Sequence, residues 1–249
     1  MSTVETAVGR FVWHDHMSGD PDKARGFYSQ LLGWETEVWK PGEIDYPMIT
    51  VNGQMHGGFG PAQGGAPSHW LGHVAVESAD ETAKRAQAAG GSLLGEPMDI
   101  PEVGRMAVIQ DPQGAVFSAF TPIGEAPPSQ GVFLWDEVLT TDPEAAKEFY
   151  TKVVGWTAED MDMGDIVYTV FSSGEAQRAG CTRLPADAAT PPYWQTHLAS
   201  TDVDRDCSKA EELGATRFMG PTDIPTVGRV AVLADPTGAP FGLYKPSES

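Results

Sequence analysis

The chain has 249 residues, of which 41% are hydrophobic and 20% charged, and its 16 Lys and Arg stand against 35 Asp and Glu for a formal charge of −19. At roughly 100–200 residues per domain this length suits two domains, and the composition is that of an ordinary globular protein. A surface this acidic repels phosphate backbones and anionic lipid, which excludes nucleic acid and membrane surfaces as partners.

The stretch from Met1 to Val12 has no charged segment followed by an apolar core, so no signal peptide is expected. No apolar run approaches the length of a membrane span. The cytoplasm is the expected location. A strand is expected over residues 10–17. A helix then opens, with Asp20 able to accept from the free N–H groups of its first turn and Pro21 suited to a position whose N–H needs no partner. Ala24, Phe27, Tyr28, Leu31 and Leu32 recur at helical spacing and make one apolar stripe, and Gly33 can supply a left-handed stop. Short strands follow over 34–39, 46–51 and 55–59. The order then repeats: a strand over 70–77, a helix over 79–89 stopped by Gly90, and strands over 92–94, 105–110 and 115–121.

The second half repeats the first. Phe11, Trp13, Asp20, Pro21, Phe27, Tyr28, Gly33 and Trp34 recur as Phe133, Trp135, Asp142, Pro143, Phe149, Tyr150, Gly155 and Trp156, each 122 positions later. Asp99-Ile-Pro-Glu-Val-Gly-Arg105 recurs as Asp223-Ile-Pro-Thr-Val-Gly-Arg229, and Asp111-Pro-Gln-Gly-Ala115 as Asp235-Pro-Thr-Gly-Ala239, both 124 positions later. The change in offset fits a two-residue loop insertion. The expected organisation is a domain over 1–124, a Pro/Gly-rich linker over 125–131 and a second domain over 132–249. Each domain is α+β and holds two β-α-β-β-β units. The two cysteines, Cys181 and Cys207, offer no disulfide framework, and Cys207 falls on the apolar face of a predicted helix as a buried thiol.

The duplicated Asp20-Pro…Phe-Tyr28, the Gly33-Trp34 pair and the Asp111-Pro-x-Gly-Ala115 turn resemble the vicinal-oxygen-chelate superfamily of glyoxalases, bleomycin-resistance proteins and extradiol dioxygenases. The Trp13-x-Asp15 and Trp135-x-Glu137 starts, with the Asp-Ile-Pro-x-Val-Gly-Arg loop, resemble its double-domain actinobacterial glyoxalase-like or hydroxylase-like branch. The resemblance implies a cup-shaped mixed sheet in each domain, a small-molecule ligand in the cup, and a monomer or homodimer. It also implies, in members that carry one, a divalent metal held by His and Glu.

Carried over position by position, that metal site is incomplete. The first ligand position holds Trp13 in one half and Trp135 in the other, and an indole cannot ligate a cation. The second holds His73 and His197, which match. The third, usually Glu, holds Ser118 and Gly242. One histidine of three ligands falls short of a catalytic first shell. No cofactor is expected; a divalent metal, if bound, would use Asp15 with His73 or Glu137 with His197. Asp15 and Glu137 lie two residues beyond their tryptophans and share a strand face with them.

The leading reading is a glyoxalase or bleomycin-resistance type protein that binds, and in the enzymatic version transforms, a small oxygenated or aromatic metabolite. Glu137 and Asp15 are the candidate bases, with His73 and His197 as partner acids or as hydrogen-bonded core residues. Trp13 and Trp135 fill the cup floor or wall a planar ligand, and Ser118 is a further candidate ligand-binding residue. Arg105 and Arg229 clamp an anionic group or pair structurally with Asp99 and Asp223. The alternatives are a metal-dependent lyase, isomerase or dioxygenase, and a drug-sequestering resistance protein. His14 and His16, on the other face from Trp13, are expected to face solvent or an interface.

Overall fold

The computed structural model describes residues 7–40, 45–126, 131–164, 166–185, 188 and 190–247. Part of the expected linker and part of the N-terminal stretch fall outside the described residues. The first half runs β1 (Phe11–Ser18), α1 (Pro21–Leu32), β2 (Glu35–Trp39), β3 (Tyr46–Val51), β4 (Gln54–Pro61), β5 (His69–Ala75), α2 (Ala79–Ala88), β6 (Ser92–Leu93), β7 (Met98–Ile100), β8 (Gly104–Gln110) and β9 (Val116–Pro122). The second runs β10 (Phe133–Thr140), α3 (Pro143–Val153), β11 (Thr157–Asp162), β12 (Val167–Ser173), β13 (Ala176–Arg183), β14 (Tyr193–Ala199), α4 (Val203–Glu212), β15 (Thr216–Ile224), β16 (Gly228–Ala234) and β17 (Pro240–Pro246). The repeat read from sequence is therefore a repeat of architecture. One strand escaped it: β7 is three residues long, too short to show a period, and pairs with β8 from Met98↔Met106 to Ile100↔Gly104.

The helix signals work as their chemistry requires. The Asp20 carboxylate accepts from the Lys23 backbone N–H at 3.0 Å, and Gly33 closes α1 at φ 72° with its N–H on the Ser29 carbonyl. Asp142 repeats the N-cap on Ala145 at 3.2 Å. The stripe on α1 buries Ala24, Phe27, Tyr28 and Leu31, and that on α3 buries Ala146, Phe149, Tyr150 and Val153.

The strands form two mixed sheets. One has the order β2-β3-β4-β1-β5-β9-β8-β6, with β7 beside β8, and the other β11-β12-β13-β10-β14-β17-β16-β15. The β1·β4 and β10·β13 pairs are parallel, and the hairpins β3·β4, β8·β9, β12·β13 and β16·β17 are antiparallel.

The compact units do not coincide with the sequence halves. One unit gathers Met1–Trp13, Gly72–Pro127 and Trp135–Trp194, and the other His14–Leu71, Pro128–Leu134 and Gln195–Ser249. The chain passes between them inside β1, β5, β10 and β14. Each unit thus draws its helices from both halves. In the first unit α2 packs on α3, and Arg85 donates through Nε to the Val153 carbonyl at 3.1 Å. In the second unit α1 packs on α4, and Lys209 donates through Nζ to the Leu31 carbonyl at 3.3 Å. Each unit has its own apolar core, one around Phe117, Tyr150, Phe171 and Trp194, the other around Tyr28, Ile49, Leu233 and Phe241.

The motif aspartates are internal anchors of these units. In the first, Asp111 Oδ1 accepts the N–H groups of Gln113, Gly114 and Ala115 within 2.9 Å. Its Oδ2 accepts from the Tyr150 hydroxyl at 2.9 Å, and Trp194 Nε1 donates to that hydroxyl at 2.9 Å. In the second, Asp235 Oδ1 accepts from Thr237 and Ala239, and Oδ2 from the Tyr28 hydroxyl at 3.1 Å, which takes the Trp70 indole N–H at 3.1 Å. The second unit adds His16, whose Nε2 lies 2.6 Å from Asp235 Oδ2 with both side chains fully buried. The expectation for His14 and His16 is corrected here. Both face the core, at 1% and 0% exposure, and His14 stacks on Phe133 with centroids 4.1 Å apart. A core ring with two nitrogens is tolerated because a buried carboxylate and aromatic faces surround it.

Candidate functional site

The face of β1 and β10 opposite the core carries the half-exposed residues: Trp13 and Asp15 in one repeat, Trp135 and Glu137 in the other. Trp13, His73, Ser118, Arg105, Trp135 and Glu137 belong to the first unit, and Asp15, His197 and Arg229 to the second.

In the first unit Glu137 is held by a phenol. The Tyr168 hydroxyl donates to Glu137 Oε2 at 2.9 Å, and Trp135 Nε1 donates to the Tyr168 oxygen at 2.7 Å. The indole N–H occupies a lone pair of the phenol, so the single phenolic proton goes to the carboxylate. Burial first, then the Glu137 charge, hold that proton on Tyr168 well above the usual tyrosine range. Tyr193, on β14, is pushed up to about 12 by burial and then by Glu137. The Cys181 thiol also rises to about 12, through burial, then Glu137, Asp111 and Asp160. Two phenols and a thiol around Glu137 are therefore neutral hydrogen-bonding groups at neutral pH.

A glycine makes room for this arrangement. Glu137 lies opposite Gly180 in the β10·β13 register, and a Cβ built on Gly180 would overlap the Tyr168 hydroxyl. The same device occurs in the second unit. Tyr46 donates to Asp15 Oδ1, Asp15 lies opposite Gly58 in the β1·β4 register, and a Cβ on Gly58 would overlap the Tyr46 hydroxyl. Tyr46 and Tyr168 stand 122 positions apart, the same offset as the two tryptophans, so the repeat contained the signal that would have found them. A Gly180→Ala substitution is expected to destabilise the fold by about 1–3 kcal/mol through overpacking and to displace Tyr168 from Glu137. Denaturant unfolding measures the first effect, and an unchanged midpoint would refute the placement of Tyr168 over Gly180.

The histidines lie where the sequence spacing puts them. His73 is opposite Ser118 in the β5·β9 register, and His197 opposite Gly242 in β14·β17. His73 is 3% exposed and meets Phe120 edge-on at 6.3 Å. His197 is 5% exposed, within 3.2 Å of Gln195 Nε2, and edge-on to Tyr244. Gln195 had no counterpart to reveal it, since the first repeat has Leu71 there.

These donors do not fit the three-ligand set that the resemblance implies. The Ser118 hydroxyl is fully buried and has no hydrogen-bond partner among the described residues. A Cβ at Gly242 would overlap the His197 ring, so a carboxylate side chain there requires that ring to move. Among the described residues no group of three or more His, Cys, Asp and Glu is arranged to hold a metal ion.

Arg105 and Arg229 are each held by two carboxylates. Arg105 makes a bidentate pair with Asp80 at 2.8 and 3.0 Å and a third bond to Asp99 at 2.9 Å. Arg229 does the same with Asp204, at 2.6 and 2.8 Å, and Asp223 at 2.9 Å. Sequence reading named the Asp99 and Asp223 partners; Asp80 and Asp204, in the first turns of α2 and α4, come from the fold.

Comparison with known proteins gives a consistent picture. The family model described as a glyoxalase-like domain matches residues 12–120 and again 134–244. The chain is 34% identical over 247 residues to the Mycobacterium bovis protein "Putative glyoxylase CFP32", covering 94% of each. It is 32% identical over 262 residues to the "Anthracycline biosynthesis protein DnrV" of Streptomyces peucetius, covering 96% of this chain and 94% of that one. The Mn(II)-bound glyoxalase from Novosphingobium aromaticivorans shares the fold, with a TM-score of 0.64 at 18% identity, over 97% of this chain and 84% of that one.

Proposed function

The chain belongs to the glyoxalase-like family, and from that premise we propose that it binds a small oxygenated or aromatic metabolite and transforms it by proton transfer, without the divalent metal usual in the fold. The observation that carries this reading is the Trp135–Tyr168–Glu137 chain of hydrogen bonds. It gives a half-exposed carboxylate a fixed orientation beside an indole that can wall a planar ligand.

Glu137 acts as the base. Its Oε2 accepts from the Tyr168 hydroxyl, and a proton taken from a ligand goes to this carboxylate. Tyr168 keeps its own proton and steadies the carboxylate. Tyr193 keeps its proton as well, its pKa raised by burial and then by the Glu137 charge to about 12. Proton abstraction next to a carbonyl is the reaction class that these groups serve. The anthracycline relative's name agrees with a ligand rich in carbonyl and hydroxyl groups.

Metal analysis of protein purified without chelator tests the metal-free part. Well under one equivalent of Mn, Fe, Ni or Zn is expected, with no change in tryptophan fluorescence when these ions are titrated. A tight stoichiometric ion would overturn the reading and turn attention to Asp15, His73, Glu137 and His197 as ligands.

A further inference from the structure

We propose that the Ser118 hydroxyl binds the ligand in the first unit, as the hydrogen-bond partner of a neutral carbonyl or hydroxyl oxygen, and that the second unit has no equivalent. The inference rests on the reading above for there being a ligand in this unit. It adds the chemistry of the ligand group that meets β9.

The hydroxyl itself is the first observation. Ser118 is fully buried, and its Oγ has no hydrogen-bond partner among the described residues. An unmet buried hydroxyl is costly, and an alanine of nearly the same size would avoid that cost. Buried polar groups in native chains are met by some partner. A lone water is a poor one here, because it needs about three hydrogen bonds of its own. Val116 and Phe120, two residues to either side on β9, and Val108, opposite on β8, supply none from their side chains.

Alternation gives the hydroxyl its direction. Phe117 and Ala119, its neighbours in β9, belong to the core of the first unit, so Ser118 points away from that core. Glu137 is placed in the same way beside the core residue Val138, and His73 beside the core residue Val74. The orphan hydroxyl and the proposed base thus belong to one unit and to the sheet face turned away from its core. The valines and Phe120 around Ser118 make an ionised oxygen expensive, so the partner is neutral. A serine hydroxyl both donates and accepts, which suits a carbonyl and a hydroxyl alike.

The second unit lacks this feature. Gly242 holds the position of Ser118, opposite His197 as Ser118 is opposite His73. A Cβ at Gly242 would overlap the His197 ring. The imidazole therefore fills the space that a side chain would need, and this unit offers neither the hydroxyl nor room for one.

The test titrates the full chain, wild type and Ser118→Ala, with acetophenone and ethylbenzene, which are alike in shape and differ by one carbonyl oxygen. Ser118→Ala is expected to weaken acetophenone about 3–10-fold, the usual worth of one hydrogen bond, and to leave ethylbenzene bound as tightly as before. Without ligand, the same substitution is expected to raise the denaturation midpoint, because it removes an unmet buried hydroxyl. Acetophenone binding that is absent from the wild type, unchanged by the substitution, or weakened no more than that of ethylbenzene would each overturn the proposal. So would a lower midpoint in the variant, or a variant that does not fold, since either shows that the hydroxyl already has a partner within the folded chain. No readout uses turnover or Glu137. Ethylbenzene that binds while acetophenone ignores the substitution leaves the pocket standing and removes only the role of Ser118.

Discussion

Replacing Glu137 with glutamine is expected to lower kcat by about 10²–10⁴-fold, the usual contribution of a positioned general base, while a neutral ligand still binds. The substitution keeps the shape of the side chain. The Tyr168 hydroxyl can still donate to the amide oxygen where it now donates to Oε2 at 2.9 Å. The amide has no basic oxygen at neutral pH, so the proton has no acceptor. The measurement is exchange of carbon-bound hydrogen for deuterium in hydroxyacetone, a minimal α-hydroxyketone, followed by NMR in D₂O. Exchange catalysed by the wild type and lost in the variant supports the assignment. Equal exchange in both removes Glu137 from the reaction. Asp15→Asn is the internal comparison, since Asp15 has its own phenol, Tyr46, in the other repeat.

The largest effect on stability is expected at Asp235. Its carboxylate takes the Tyr28 hydroxyl, the His16 imidazole and the donors of Thr237 and Ala239. Asp235→Ala removes every one of these at once and leaves His16 and Tyr28 buried without their acceptor. Breaking a buried pair from one side costs about 3–5 kcal/mol, which in a chain of this size lowers Tm by roughly 10 °C. His16→Val is the contrasting change. The equivalent residue in the second repeat is Val138, in the first unit, where Asp111 keeps its turn and its tyrosine, so this variant copies a residue pairing the protein already uses. It is expected to cost less than Asp235→Ala, because Asp235 keeps the donors of Tyr28, Thr237 and Ala239 while only the His16 contact is lost.

The same carboxylate sets a pH dependence. Burial alone raises the Asp235 carboxyl, but the hydrogen bond and charge of His16, with the donors of Thr237, outweigh it, and the net shift is downward. A carboxyl lower in the folded than in the unfolded chain contributes stability that is complete above the unfolded value, about 3.9. That contribution fades as the pH falls below this value toward the folded one. Thermal melts from neutrality to the acid side should show the loss in the wild type and a reduced loss in His16→Val. The same slope in both would show that the His16 contact does not hold the Asp235 proton off.

The chain order of elements and their repetition are legible from the residues alone. Capping aspartates, helix-starting prolines, apolar stripes and alternating strands are local signals, and each acts on the few residues around it. The pairing of β5 with β9 and of β14 with β17, which sets His73 opposite Ser118 and His197 opposite Gly242, comes from the fold. The lack of a carboxylate at Ser118 and Gly242 is a fact of sequence.

What only the tertiary structure decides is which distant residues meet. The Asp-Pro-x-Gly aspartate of one half binds the Phe-Tyr tyrosine of the other, Asp111 with Tyr150 and Asp235 with Tyr28. No periodicity announces that exchange, because each motif is satisfied equally well on paper by its neighbour in the same half. The solvent face read for His14 and His16 fails for the same reason: alternation tells that they oppose Trp13, not which face is buried. Tyr46 and Tyr168 become functional candidates only when a glycine on the adjacent strand lets their rings reach Asp15 and Glu137. Local propensity is written along the chain, whereas side-chain contacts across strands and between repeats depend on how much space the folded neighbours leave.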